Sequence, residues 1–140
     1  MSLSIWHDIE KTIISYFGNN WVSTEIQYPN TVKDMASYGV WVSINVIPLA
    51  ANRLTITGNN DTGIMYIGDV VMNIFRDLNK GTGVLKQHVD NIINLFRYKT
   101  LTIEGEKIIQ FKIPQHYVLG MCMEGTLWQE SISISFECLV

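Results

Sequence analysis

Residues 127–140, LWQESISISFECLV, place apolar and polar side chains in alternation over most of their length. A period of two belongs to a β-strand, where successive side chains point to opposite faces. Trp128, Ile132, Ile134, Phe136, Cys138 and Val140 share one face, which predicts a core side. Gln129, Ser131, Ser133, Ser135 and Glu137 share the other, which predicts solvent or a polar subunit contact. A two-faced strand of this kind needs an apolar layer over its first face and partner strands on its edges.

The rest of the chain supplies both. Residues 4–17 repeat Ile5, Ile9, Ile13 and Phe17 at i+4, with Trp6 and Ile14 widening the stripe. Ser4 is the expected N-cap, Asp8 and Glu10 suit the positive end, and Gly18 with Asn19 and Asn20 is the expected stop. A second amphipathic helix is predicted over 84–97, with Leu85, Val89, Ile92, Ile93 and Phe96 on one face and Thr82 as cap. Strands are expected at 21–28, 40–47, 64–75, 101–103 and 107–113, with residues 114–120 left unassigned. In 40–47, Val40, Val42, Ile44 and Val46 face one way, and Trp41, Ser43, Asn45 and Ile47 the other. Gly68 is the expected bulge or bend of the long strand. Residues 48–63 read as a hairpin arm, because Arg53 to Thr57 alternates and residues 58–61 are turn formers. The order α-β-β-β-α-β-β-β predicts an α+β fold: a mostly antiparallel (mixed) sheet of about five to six strands, with two helices packed on it.

The chain has 140 residues, which suits one domain with a core of its own. Charged residues are 16%, against about 25% in a typical domain, which fits apolar surface covered by sister subunits or a larger share of buried strand. The net charge is −3, and the Lys and Arg residues form no basic run, so sequence-specific nucleic-acid binding is not expected. No apolar run reaches the length of a membrane span, and residues 1–13 do not read as a signal peptide. Cys122 and Cys138 lack CxxC spacing and read as buried thiols rather than zinc ligands.

No chemistry-bearing motif is complete. His7, His88 and His116 lack ligand spacing and are expected at the surface or half-buried. The run Gly81, Thr82, Gly83 precedes a helix, but Lys86 stands where a dinucleotide fingerprint needs its third glycine. Asp61, Asp69 and Asp77 do not match a calcium loop. Glu104 and Glu106 flank Gly105 and read as a solvated turn, and no nucleophile elbow surrounds Ser131, Ser133 or Ser135. Neither catalytic residues nor a metal or cofactor site is expected. The aromatic load, with Trp6, Trp21, Trp41 and Trp128, predicts core and interface packing.

Taken in order, four features carry a resemblance. They are the helix ending in an aromatic, Ile5 to Phe17; the stop at Tyr28, Pro29 and Asn30 before the strand Val40–Ile47; residues 62–68, TGIMYIG, running to 73–75, NIF; and residues 79–83, NKGTG, leading to 89–96, VDNIINLF, and terminal strands. In this order the chain resembles the tail terminator (tail-completion) proteins of long-tailed bacteriophages and prophages. The resemblance implies a non-enzymatic homo-oligomer, commonly a hexameric ring, without a cofactor. Such a ring sits on the finished tail tube, contacts the tube protein below and a head-completion or neck protein above, and stops polymerisation. It implies a place in the virion tail after assembly in the host cytoplasm. On the arm's own chemistry, Arg53, Leu54 and Ile56 are the expected subunit contacts. Another connector or tail-tube component is the alternative, and a small ligand-binding protein or enzyme a more distant one.

Overall fold

The computed structural model describes residues 5–29, 39–53, 63–77, 83–122 and 127–140. Two helices lie on one face of a seven-stranded sheet. The helices are α1 (Ile5–Asn20) and α2 (Gly83–Phe96). The strands are β1 (Glu25–Gln27), β2 (Val40–Arg53), β3 (Ile64–Asp77), β4 (Thr100–Ile103), β5 (Lys107–Phe111), β6 (Gln115–Cys122) and β7 (Leu127–Leu139). The α+β class, with a mixed and mostly antiparallel sheet, is as the sequence predicts; the strand count is one or two higher.

The sheet runs β1-β2-β3-β7-β5-β4, and β6 also pairs with β7. β7 is therefore the hub. One edge pairs with β3 along its whole length, from Asp77↔Leu127 to Met65↔Leu139. The other edge is shared: β6 takes Leu127–Ser133, and β5 takes Phe136–Leu139. Among the described strands, only β1 runs parallel to its neighbour, β2.

Period and burial agree on β7. Ile132, Ile134, Phe136 and Cys138 are fully buried beneath the helices, as expected for the apolar face. Val42 and Ile44 of β2, and Val70, Met72 and Ile74 of β3, extend that layer, and Ile9, Ile13, Phe17, Leu85, Val89, Ile92 and Phe96 cover it from the helices. The two helices also meet: Tyr16 donates its hydroxyl to the Leu95 carbonyl at 2.6 Å, and the Tyr16 and Phe96 rings pack edge to face. Burial raises the Tyr16 pKa. The opposite face carries cross-strand polar pairs, Gln129 to Asn73 at 3.0 Å and Ser135 to Asp69 at 2.8 Å. It also holds a small apolar cluster of Trp41, Leu127 and Phe75 at one end, with Trp41 stacked on Phe75. That face is thus not uniformly polar. Cys138 is a buried free thiol, as expected; burial pushes it up to about 11, against the nearby Lys107 charge.

Several boundaries differ from the sequence reading. α1 passes through Gly18 to Asn20, whose side-chain amide donates to the Tyr16 carbonyl and occupies one of the last-turn acceptors. The strand expected at 21–28 shrinks to Glu25–Gln27, because Trp21 stacks on Phe17 at the end of α1 instead of extending. The bulge expected at Gly68 lies in the partner strand, between Pro48 and Ala50. Gly68 instead permits a close approach, since a Cβ there would lie 2.6 Å from the Phe136 ring and 2.8 Å from the Ile47 carbonyl oxygen. The turn at Glu104 and Gly105 is present, with positive φ at both (54° and 73°), the primed geometry that suits a twisted hairpin. Ser4, Thr82 and the run at 81–82 lie outside the described residues.

Candidate functional site

Two regions stand out from the ordinary core. The first is the far half of the β2–β3 hairpin. β1 covers β2 only at Trp41–Ser43, so from Ile44 to Arg53 the outer edge of β2 has no strand beside it among the described residues. Its last seven residues, Ile47–Arg53, are all exposed. Pairing with β3 continues through this stretch, from Pro48↔Gly68 to Arg53↔Ile64, so it is an ordered strand reaching beyond the helices' cover. Ile47 and Leu49 are 41% and 58% exposed on it. An extended strand with a bare edge is a template for pairing with another chain. Of the expected contact residues, Arg53 sits exposed at the end of this strand, while Leu54 and Ile56 lie outside the described residues.

The second region is a polar cluster at the other end of the helix-covered face. Glu130 of β7 is fully buried, on the same side as Ile132 and Ile134. Lys86 of α2 donates to its Oε1 at 2.7 Å, His116 Nε2 of β6 lies 2.6 Å from the same oxygen, and Trp128 Nε1 donates to Oε2 at 3.0 Å. A carboxylate only accepts, so His116 must carry its proton on Nε2 in this contact. Burial alone would raise the Glu130 pKa, but the bonds from Lys86, Trp128 and His116, with the Lys86 charge, outweigh it and hold it below the usual range. The cluster ties α2, β6 and β7 together. A histidine oriented by a carboxylate is also half of a general-base dyad, but the structure brings no hydroxyl or thiol nucleophile to His116 among the described contacts.

Beside it, His88 and Arg76 each bury one nitrogen, Nδ1 and Nη1, without a hydrogen-bond partner. Burial first, and then the Arg76 charge, lower the His88 pKa, and its ring packs edge-on to Trp21. His7 is exposed on α1, as expected. Among the described residues no group of three or more His, Cys, Asp or Glu is placed to hold a metal ion. Among them, too, no helix is long and apolar enough to cross a membrane.

A shallow recess of about 330 Å³ lies between α1 and the end of β4, lined by Asp8, Lys11, Thr12, Ser15, Thr102, Ile103 and Glu104. The opposed sheet edge, beyond β6, is lined by Tyr117, Val118, Leu119 and Met121, all at least 50% exposed. Sequence reading missed both β6 and Glu130. For Glu130 the signal was available: the period of two that puts Ile132 and Ile134 inside puts residue 130 inside as well, and a buried carboxylate requires partners.

No protein-family model matches this chain, and no curated protein matches it. A solved structure known only by a sequence identifier is similar over 100% of this chain and 97% of its own, with a TM-score of 0.71 and 16% sequence identity. At that identity the likeness shows the fold alone.

Proposed function

We propose that this protein is a non-enzymatic structural subunit that assembles into a ring at the end of a phage tail tube, ends tube growth and presents the joining surface for a head-completion protein. The observation that carries the reading is the exposed far half of β2, an ordered strand whose outer edge is bare from Ile44 to Arg53 among the described residues. A monomer gains nothing from seven solvent-exposed strand residues held in register; a subunit gains a contact whose backbone pairing supplies affinity. The order of elements that resembles tail terminators supplies the rest: the ring, the tube protein and neck protein as partners, the virion tail as location, and no cofactor.

The test is the solution mass by light scattering over a concentration series. A closed oligomer of about six copies of the 16.0 kDa chain, without larger species, is the expected result. Growth without limit would replace the reading by a tube component, and a monomer at every concentration, with or without added tail tubes, would overturn it. Leu54→Asp combined with Ile56→Asp should reduce the assembled mass while leaving the circular-dichroism spectrum unchanged.

A further inference from the structure

A closed ring of identical subunits needs two different surfaces that fit each other, one on each side of the subunit. We infer that the bare edge of β2 in one copy pairs, in parallel, with the outer edge of β4 in the next copy, beside which no strand lies among the described residues, and that Arg53 then enters the recess between α1 and β4. This rests on the ring reading above and adds the identity of both halves of the joint.

Register brings the two edges level. Asn52 pairs with Met65, Met65 with Leu139, Leu139 with Ile108, and Ile108 with Thr102. Asn52 and Thr102 are therefore the two ends of one row across the sheet. β2 is antiparallel to β3, and β3 to β7; β7 is antiparallel to β5, and β5 to β4. β2 and β4 consequently run in the same direction. A second copy placed beside the first, same side up, brings β2 of one against β4 of the other at the same level, without inversion or sliding. Each copy then offers both edges, so the contact repeats. At the other end of β2 the same move is blocked, because β1 already occupies Trp41–Ser43.

Charge fits the same placement. Arg53 pairs with Ile64, whose side of the sheet is that of Tyr66, which packs against Trp6 of α1. Arg53 therefore belongs to the helix-covered side. On that side, at the β4 edge, the recess is lined by two carboxylates, Asp8 and Glu104, and one ammonium, Lys11. Its lining is one negative charge in excess, beside Ile103, the residue one step beyond Thr102. The step from Asn52 to Arg53 along one strand matches the step from Thr102 to Ile103 along the other. A guanidinium arriving there meets opposite charge at the moment the backbones pair.

The experiment uses the full chain. Asn52→Cys and Thr102→Cys are made in separate preparations, mixed and oxidised, with the unsubstituted chain as control for native thiols. A cross-linked dimer that needs both preparations is expected. In sedimentation, Arg53→Glu should weaken self-association at least about tenfold, and Arg53→Glu with Glu104→Arg should recover most of it. Association unaffected by Arg53→Glu, or cross-linking of Asn52→Cys to Val118→Cys of β6 instead, overturns the joint while leaving a closed ring standing. Open-ended growth that Arg53→Glu abolishes keeps the joint and removes the ring. A wild-type chain that never associates overturns the joint.

Discussion

β2 is one strand with two different lives. From Val40 to Val46 it lies in the middle of the molecule, with Val42 and Ile44 fully buried under the helices and Trp41 buried on the opposite face. From Ile47 to Arg53 every residue is exposed, although β3 pairs with it to the end, apart from the shift at Leu49. Backbone pairing is thus common to both halves, and side-chain burial belongs to one. The difference separates what holds this fold together from what is left over for other purposes. Ile44 and Leu49 lie on the same strand and have similar volume, yet only the first removes its apolar surface from water.

That contrast can be broken most forcefully from the buried end. Glu130→Ala removes the acceptor that Lys86, His116 and Trp128 share and empties a fully buried position, while Lys86, exposed at its outer side, can turn to water; about 2–4 kcal/mol of stability should be lost in urea unfolding. Acid should act on the same group. Its folded-state pKa is depressed, so its contribution is complete above the ordinary carboxylate range and disappears as the pH falls through the lower folded-state value. The wild type should therefore lose more stability below about pH 4 than Glu130→Gln does. Next comes Ile44→Ala, for which about 2–5 kcal/mol is expected from the emptied core volume. Gly68→Ala, at the junction of the two halves, should cost about 1–3 kcal/mol, since the new methyl group must displace the Phe136 ring or the Ile47 carbonyl. Leu49→Ser should change unfolding by no more than about 0.5 kcal/mol. A melting midpoint lowered as much by Leu49→Ser as by Ile44→Ala would erase the distinction between the halves.

What could be read from the sequence follows the same division. β7, β2 and both helices were legible because burial imposes a period on them: two in Ile132, Ile134 and Phe136, near four in Ile9, Ile13 and Phe17. β6 imposes none. Tyr117, Val118 and Leu119 are three apolar residues in succession, all exposed, and Gly120 sits at positive φ where the register shifts against β7. A strand defined only by backbone pairing leaves no pattern in its side chains. The alternation and turn formers from which the arm was read fall at residues 54–61, outside the described residues; what is described, the continuity of β2 through Pro48, was not legible, since proline usually argues against a strand interior, and here the shift between Pro48 and Ala50 accommodates it. Glu130 was hidden by its type. A carboxylate among apolar neighbours reads as an interruption until Lys86 and His116, from distant segments, are seen to converge on it.

The hub position of β7 has a consequence for synthesis. It is the last of the seven strands to leave the ribosome, yet it separates β3 from β5 and carries β6. Until it emerges, the β2–β3 and β4–β5 hairpins cannot be joined into one sheet, and two inner edges remain open beside apolar faces. A nascent chain in that state is prone to stick to its neighbours, and its folding is governed by pairings distant in sequence, the slow kind. Stalled or truncated translation short of residue 127 should then yield aggregated product rather than a smaller folded one.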